Sequence, residues 1–311
     1  MFGKGTFARK ALIATTVAGT VGIGGGYAMY QRRLSENRSV TAEAFNAMQD
    51  ATKLNEAFKR LRDNEERPLI QLYRYTTCPW CGTVKAFLDY NKIHHECVEV
   101  EPMFKTQLAE SLYKKVPQLR FNSQTGASTY LVDSQIIVDT LSSKIGMGHQ
   151  LQDEEVKKWR VWARSSLVRF VTLEFNRTLS AAWSGYSYID DCDTIPYANK
   201  LFLKVVGAPV MYLVAMKITK PRLIKDGLMK SEDDPKQRLH EEVNRFTAEA
   251  LVDPKSKKPR PFHGGKKPDL VDLDTYGVLQ SVRGHRIYNE MVTETKIGAW
   301  LEAMDKLTGK A

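Results

Sequence analysis

The sequence predicts an α/β domain over residues 68–146, followed by an all-α domain over residues 147–311. Short apolar runs alternate with helical patterns up to residue 146, and helix-forming residues with aromatic stripes dominate from Asp153 onward. An uncharged run precedes both domains. With 311 residues and 42% hydrophobic composition, the chain is long enough to bury two cores.

The uncharged run is Ala11–Tyr30, and basic residues flank it on both sides. Its length is sufficient for a helix that spans a bilayer. Residues 1–35 carry basic but no acidic side chains, as mitochondrial targeting segments do. Three interpretations therefore stand: a membrane anchor, a targeting segment that is removed, and a disordered basic tail. The basic residues on both sides leave the orientation of an anchor undecided.

Residues 36–67 are polar and charged, and they predict a connector that is partly helical over Phe45–Leu61. The α/β domain follows it, with strands and helices of a length and order that suit one compact unit. In chain order we expect the strand Leu69–Tyr75, the helix Pro79–Asn91, the strand His95–Val100, the helix Phe104–Lys114, the strands Gln118–Phe121 and Ser128–Val132, and the helix Ser134–Ile145.

A C-x-x-C motif lies where the first strand meets the first helix. The amino end of that helix directs unpaired N–H groups at Cys78, which favours the thiolate. Cys78 is therefore the candidate nucleophile. Cys81 lies one turn further along, where it suits the resolution of a mixed disulfide, and Pro79 fits the first helical position.

Other interpretations of the cysteines are weaker. A structural zinc site needs two more ligands, but Cys97 and Cys192 stand alone without a nearby histidine pair, so we predict no metal. Gly82 follows Cys81, which excludes covalent haem attachment. Two ordinary core cysteines remain an alternative. The net charge of +10 favours an anionic partner, but no compact nucleic-acid motif is present.

In the all-α domain, the apolar run Leu201–Ile218 contains Pro209 and internal lysines, which favour a buried or surface-seated helix over a second membrane span. Residues 200–225 include six basic and no acidic residues, a composition that suits anionic lipid. Asp269 and Asp272 form a helix N-cap signal. A final helix is expected over Ile297–Leu307.

Four stretches resemble a known family: LYRYTTCPWCGTVKAFLDY, YKKVPQL, DSQIIVDTL and PFHGGKKPDLVDLDTYGVL. They resemble the thioredoxin-like domain of glutaredoxins and glutathione transferases, followed by the helical glutathione transferase domain. Together they look like the type 2 membrane-associated prostaglandin E synthase family. The resemblance covers residues 68–308 and implies a thioredoxin-like domain before a glutathione transferase-like helical domain. One departure is Trp80, where we would expect Phe.

The resemblance implies a glutathione site beside the C-x-x-C motif. Val116, which precedes Pro117, would pair with the glutathione backbone like an added strand. The Val116–Pro117 peptide bond has two possible forms. It is either a trans bond at the start of a strand, or a cis bond that directs the edge of the sheet toward a ligand. Asp133 and Ser134 would hold the γ-glutamyl end, although simple helix capping explains them equally well.

The resemblance also implies isomerisation of prostaglandin H, or another lipid peroxide, with Cys78 as the catalytic thiol. Tyr75 would donate a hydrogen bond to the thiolate or to a peroxide oxygen, and a core tyrosine is its alternative. Haem is a further cofactor that the family implies. The implied setting is a homodimer at a Golgi or mitochondrial membrane, attached through residues 11–30 and facing the cytosol. A glutaredoxin-like thiol oxidoreductase and a non-enzymatic haem- or glutathione-binding membrane protein are the alternative functions.

Overall fold

A four-stranded sheet forms the centre of the first domain in the computed structural model, which describes residues 39–62, 70–122, 128–193 and 195–310. The predicted apolar segment lies outside the described residues. The strand order is β2-β1-β3-β4, with β2 parallel to β1 and the other pairs antiparallel. The strands are β1 (Ile70–Arg74), β2 (His95–Glu99), β3 (Gln118–Phe121) and β4 (Thr129–Val132).

Two helices complete the βαβ and ββα arrangement that the sequence predicts. They are α3 (Pro79–Tyr90), between β1 and β2, and α4 (Ser134–Lys144), after β4. All six of these elements agree with the predicted bounds to within one residue at each end. The apolar character of β1 explains its central place, because Ile70 and Leu72 are fully buried in the core.

The predicted helix Phe104–Lys114 is wrong. Only a single 3₁₀ turn, Thr106–Leu108, forms there. The Glu101 carboxylate accepts hydrogen bonds from the N–H groups of residues 103–105, and the Lys114 amine donates to two carbonyl oxygens of the segment. These side chains supply hydrogen-bond partners for backbone groups that would otherwise pair with each other in a helix. The segment therefore remains a compact loop.

Residues 39–62 do more than connect, because they cover the outer edge of the sheet. They form α1 (Ala42–Ala47) and α2 (Ala51–Arg62). The Asn46 side chain donates to the carbonyl of Val132 and accepts from its N–H, both at 3.0 Å. Gln49 accepts from the N–H of Tyr130 at 3.0 Å. The amide side chains thus satisfy an edge that would otherwise be open to another strand.

The second domain is helical. Its α-helices are α5 (Glu154–Val161), α6 (Val168–Phe175), α7 (Leu179–Gly185), α8 (Tyr197–Leu213), α9 (Lys220–Lys225), α10 (Pro235–Arg245), α11 (Leu270–Gln280), α12 (Arg286–Glu294) and α13 (Gly298–Thr308). The helical path also contains three π-type stretches, which are Trp162–Leu167, Val214–Thr219 and Phe246–Ala250. The predicted final helix corresponds to α13.

The long helix Tyr197–Lys225, which comprises α8, a π-type stretch and α9, is the one described helix whose length and apolar composition would suffice to cross a bilayer. One face of it packs into the domain through Leu203, Ala215 and Leu223. Its other face is exposed, and only 22% of its most apolar stretch is buried. Of the two predicted alternatives, a buried or a surface-seated helix, these exposures fit the second.

The N-cap signal at Asp269 is confirmed and opens the buried helix α11. Asp269 accepts from the N–H groups of Val271 and Asp272, and Asp272 accepts in return from the N–H of Asp269. The Asp272 carboxylate also accepts from the N–H of His263 and from the indole of Trp300, each at 3.0 Å. This carboxylate therefore ties the start of α11 to the preceding loop and to α13.

The two domains meet where α3 crosses α11. A Cβ atom on Gly82 would overlap the carbonyl oxygen of Gly277, and one on Gly277 would overlap the backbone of Gly82 and Thr83. The two helices can therefore approach this closely only because both positions are glycine. Helix α11 is buried from Leu270 to Leu279, so its side chains belong to a core that both domains share.

We expect Gly277→Ala to destabilise the protein by about 3 kcal/mol, because the new methyl group must force α3 and α11 apart. This exceeds the gain of about 1 kcal/mol that alanine brings to a helix. Urea unfolding monitored by circular dichroism measures the change. The matched control is Gly298→Ala, another helical glycine, whose added Cβ would lie 3.3 Å from the nearest atom, the Val292 carbonyl oxygen. Equal stability of the two variants would contradict the proposed steric limit.

Candidate active site

The turn between β1 and α3 is held by a carboxylate from β2. Glu99 accepts from the N–H of Thr76 at 2.9 Å and from its hydroxyl at 2.7 Å. The same carboxylate forms an ion pair with Arg74 at 2.6 Å. The parallel pairing of β1 with β2 brings these groups together, and the result is a fixed start for α3.

Cys78 is the N-cap residue of α3 and is half-buried, whereas Cys81 is fully buried. Hydrogen bonds from the Cys81 thiol and from the N–H groups of Cys81 and Trp80 lower the pKa of Cys78, against the opposing effects of burial and of Glu99. Burial raises the pKa of Cys81 well above its usual range, and the neighbouring Cys78 raises it further. Of the two thiols, Cys78 is consequently the one that ionises more readily, with Cys81 as its hydrogen-bond donor.

Tyr75 lies beside this pair, at the wall of a cavity. Burial raises the pKa of its hydroxyl well above the ordinary value, and the neighbouring Cys78 adds to this effect. The phenol therefore stays protonated at neutral pH. It is available as a proton donor to a group bound near Cys78.

Val116 lines the same cavity and is half-exposed, and its bond to the buried Pro117 is cis. Of the two alternatives for this bond, the structure thus has the cis form. Within the described part of the chain, neither the N–H nor the carbonyl of Val116 has a hydrogen-bond partner. These two groups are able to pair with an extended peptide in the manner of an added strand.

Asp133 and Ser134 lie at the start of α4. Asp133 caps the helix by accepting from the N–H groups of Gln135 at 2.9 Å and Ile136 at 3.3 Å, and its φ is 74°. A non-glycine residue with positive φ is strained, and such strain often accompanies a ligand site. The Ser134 hydroxyl has no hydrogen-bond partner among the described residues. Neither residue lines the cavity, and neither Cys81 nor Pro117 does.

The cavity between the two domains has a volume of about 710 Å³ and a largely apolar lining. The structure brings Tyr75, Cys78 and Val116 together in it, and Trp80 lies at its wall with 44% of its surface exposed. The cavity is of the size that commonly holds a small organic ligand.

Basic side chains line the cavity, and sequence reasoning missed them. Among the described lining residues there are five basic and no acidic ones, namely Lys105, Lys115, Arg164, Arg169 and Arg222. Two of the π-type stretches contribute to the lining, through Arg164 in one and Ile218 in the other. The basic excess over residues 200–225 was visible in the sequence, but it did not indicate that Arg222 faces a cavity. The lining favours a ligand that is apolar and carries negative charge.

Arg164 is held in place from α11. The buried Asp274 accepts from Arg164 Nε at 2.8 Å and Nη2 at 3.0 Å, and also from Arg160 Nε at 2.8 Å. Burial opposes ionisation of Asp274, but Arg164 and Arg160 hold its pKa below the ordinary value. The remaining nitrogen of Arg164, Nη1, is buried and has no partner among the described residues. The pairing with Asp274 therefore fixes one basic group of the cavity wall.

Residues 72–147 match the glutathione S-transferase N-terminal domain family. Over these residues the chain is similar to glutathione S-transferases. The thioredoxin-like sheet followed by a helical domain, which the sequence predicts, is confirmed. The matched residues include the C-x-x-C motif, the Val116–Pro117 bond and the Asp133–Ser134 helix start.

Two relatives are named prostaglandin E synthase 2. The chain is 27% identical to the protein from Danio rerio over 98% of this chain and 87% of that protein. It is 27% identical to the protein from Mus musculus over 78% of this chain and 71% of that protein. Among solved structures, glutaredoxin 2 from Salmonella typhimurium in complex with glutathione is 16% identical, with a TM-score of 0.47, over 79% of this chain and 97% of that chain.

We expect Cys81→Ala to raise the pKa of Cys78, because it removes the thiol hydrogen bond that contributes most to the lowered value. The pH midpoint of Cys78 alkylation by iodoacetamide measures this pKa, since only the thiolate reacts. In a Cys97→Ser/Cys192→Ser background the midpoint should lie below the ordinary thiol value of about 8.5 and should move upward with Cys81→Ala.

Cys81→Ser is the matched control, because serine keeps a hydroxyl donor at the same position. Its alkylation midpoint should fall between those of the parent and of Cys81→Ala. Identical midpoints in all three proteins would show that Cys81 has no influence on the Cys78 thiolate.

Proposed function

We propose that the protein is a glutathione-binding isomerase that converts prostaglandin H, or a closely related lipid endoperoxide, to the corresponding hydroxy ketone. The observation that carries the proposal is the position of the Cys78 thiolate at the wall of an apolar cavity with basic side chains. A fatty-acid endoperoxide is apolar along most of its length and has one carboxylate, which matches this lining. The two relatives named prostaglandin E synthase 2 support the same substrate class.

The proposed glutathione site adjoins the thiolate. The unpaired N–H and carbonyl of Val116 would pair with the peptide backbone of glutathione, and the cis Pro117 follows directly. At the start of α4, Asp133 would accept from the ammonium of the γ-glutamyl group, and the helix amino end and Ser134 would bind its carboxylate. Asp133 uses one carboxylate oxygen as the helix cap, which leaves the other for the ligand.

The reaction requires a nucleophile and an acid on the two sides of the peroxide bond. Attack of the Cys78 sulfur on the C9 oxygen forms an S–O bond and breaks the O–O bond, and the C11 oxygen takes the proton of Tyr75. The resulting Tyr75 phenolate removes the C9 proton. The C9 carbonyl then forms as the S–O bond breaks, and both the thiolate and the protonated phenol are restored.

Haem has no step in this proposal. The described lining contains no histidine, and its groups of a type that ligates haem iron are the Cys78 sulfur, the Met211 thioether and the phenols of Tyr75, Tyr186 and Tyr188. The proposed reaction already uses the Cys78 thiolate and the Tyr75 phenol.

A glutaredoxin-like thiol oxidoreductase is the second candidate. The observation that favours it is the paired arrangement of Cys78 and Cys81, in which a thiolate and a buried thiol are hydrogen-bonded. In such a reaction Cys78 attacks a mixed disulfide and Cys81 resolves it, so both thiols are required.

We expect Cys78→Ser to lower prostaglandin E formation roughly 1,000-fold, because serine at this position is not ionised at neutral pH. Cys81→Ser should lower isomerisation only a few-fold, but it should abolish the two-thiol reduction of a disulfide substrate. Product analysis after incubation with prostaglandin H and glutathione measures the first activity, and reduction of an intramolecular peptide disulfide measures the second.

Cys192→Ser serves as the control, because Cys192 is half-buried and does not line the cavity. It should leave both activities unchanged. If prostaglandin E forms at the uncatalysed rate with the parent protein, the isomerase proposal fails. Equal loss of both activities in Cys81→Ser would favour the oxidoreductase instead.

We expect Asp133→Asn to weaken glutathione binding about tenfold or more, because the charge-assisted bond to the γ-glutamyl ammonium is lost. Asparagine caps a helix as well as aspartate does, so the melting temperature should not change. Isothermal titration calorimetry with glutathione measures the affinity.

The matched control for this variant is Asp153→Asn. Asp153 caps α5 with the same pair of bonds, to the N–H groups of Glu155 at 2.9 Å and Val156 at 3.1 Å, but it lies outside the proposed site. Its substitution should leave the affinity for glutathione unchanged. Equal affinities of the Asp133→Asn variant and the parent would remove Asp133 from the site and leave helix capping as its role.

A further inference from the structure

The outward side of α8 is apolar. Leu201 and Phe202 are followed by Val205, Val210 and Leu213, and each of the five is between 43% and 53% exposed. With 3.6 residues per turn, these side chains cover about half of the helix circumference. We call these five residues the apolar face. Single exposed apolar residues are common on soluble proteins, but a contiguous group of this size marks a surface that binds a partner.

The apolar face continues directly into a basic one. Lys217, Arg222 and Lys225 are exposed on the next turns of the same helix, and Lys220 is half-exposed. None of these four residues forms an ion pair within the described part of the chain. No acidic residue occurs between positions 200 and 225. We call these four residues the basic face, and its charge complements an anionic surface.

The inner side of the same helix lines the cavity. Met211, Val214, Ile218, Thr219 and Arg222 all belong to the lining. Ile218 and Arg222 are exposed as well, so the cavity wall reaches the surface at the start of the basic face. A ligand bound at the surface of this helix is therefore next to a route into the cavity.

The packing of the helix determines how it meets lipid. Gly207 lies directly against the ring of Tyr186, where a Cβ would collide with the tyrosine, and Leu203 and Ala208 are buried. Because these contacts hold the helix along its length against the domain, it lies on the surface instead of crossing a membrane. Interfacial helices bind in this orientation, with apolar side chains inserted and basic residues at the headgroups.

We propose that the apolar and basic faces of Tyr197–Lys225 seat the protein on an anionic phospholipid bilayer, with the cavity opening onto the membrane surface. An apolar substrate then passes from the lipid into the cavity without crossing water. This last step rests on the proposed function. The membrane contact itself depends only on the exposed faces of the helix and is independent of residues 11–30.

Hydroxyl-radical footprinting of the full chain tests the contact locally, whatever residues 11–30 do. Phe202 and Leu213 should become protected with vesicles of phosphatidylcholine containing 30% phosphatidylserine, but not with phosphatidylcholine alone. Lys217→Gln/Lys220→Gln/Lys225→Gln should raise the lipid concentration for half-protection more than tenfold, since each basic residue contributes about a fivefold effect. The matched control makes the same change of charge in another basic run. The lipid concentration for half-protection should change far less in this control, Lys255→Gln/Lys257→Gln/Lys258→Gln.

Val205→Glu/Leu213→Glu should abolish protection of Phe202, because carboxylates cannot insert into an anionic interface. Val161→Glu/Leu307→Glu alters two exposed residues of other helices and should not. Circular dichroism of each variant checks the fold. Protection of Phe202 in the absence of vesicles that grows with protein concentration would identify a second copy of the chain as the occupant and overturn the proposal. Absence of protection with either type of vesicle would also overturn it.

The route into the cavity has a separate readout. Val205→Glu/Leu213→Glu should raise the apparent KM for a lipid endoperoxide presented in the anionic vesicles, and should leave turnover of the same compound in detergent solution unchanged. Protection without any turnover of endoperoxide by the parent protein would mean that the proposed function has failed while the membrane contact stands. Turnover that is equally efficient with and without the apolar face would remove the proposed route.

Discussion

The close crossing of α3 and α11 is the constraint on which the site depends. At this point Gly82 and Gly277 place two backbones in direct contact, which no side chain would permit. Gly82 follows the second cysteine, so the helix that carries the thiols is held from the other domain. Helix α11 in turn carries Asp274, which fixes Arg164 at the cavity wall. The spacing of two helices thus sets the position of both the thiolate and a basic group that lines the same cavity.

The chemistry of the thiol pair results from a competition between burial and hydrogen bonding. Burial disfavours the charged form of both cysteines. Cys78 overcomes this penalty because it occupies the N-cap position of α3, where the Cys81 thiol and the N–H groups of Trp80 and Cys81 stabilise its charge, whereas Cys81 serves as a donor within the helix. The pKa values of two identical side chains, separated by one helical turn, are therefore shifted in opposite directions. A Tyr75 that stays protonated completes an arrangement of nucleophile and acid.

The cavity combines an apolar lining with basic side chains, and neither property alone would suit the proposed substrate. Apolar walls exclude water and hold a hydrocarbon chain, while the basic groups of the lining attract a carboxylate. The long helix shares this dual character, since apolar residues precede basic ones along its exposed face. Because the same helix lines the cavity, the surface that suits lipid and the site that suits a lipid substrate are continuous.

Local signals in the sequence determined the strands, the helices α3 and α4, the caps at Asp133 and Asp269, and the thiol at a helix amino end. Each of these depends on contacts within a few residues or on hydrophobic periodicity. Tertiary structure decided the rest. Glu101 and Lys114 prevented a helix by satisfying its backbone groups, and Arg164 became part of a cavity wall because the distant Asp274 pairs with it. Such outcomes depend on contacts between residues that are distant in the sequence, and local sequence patterns carry no information about those contacts.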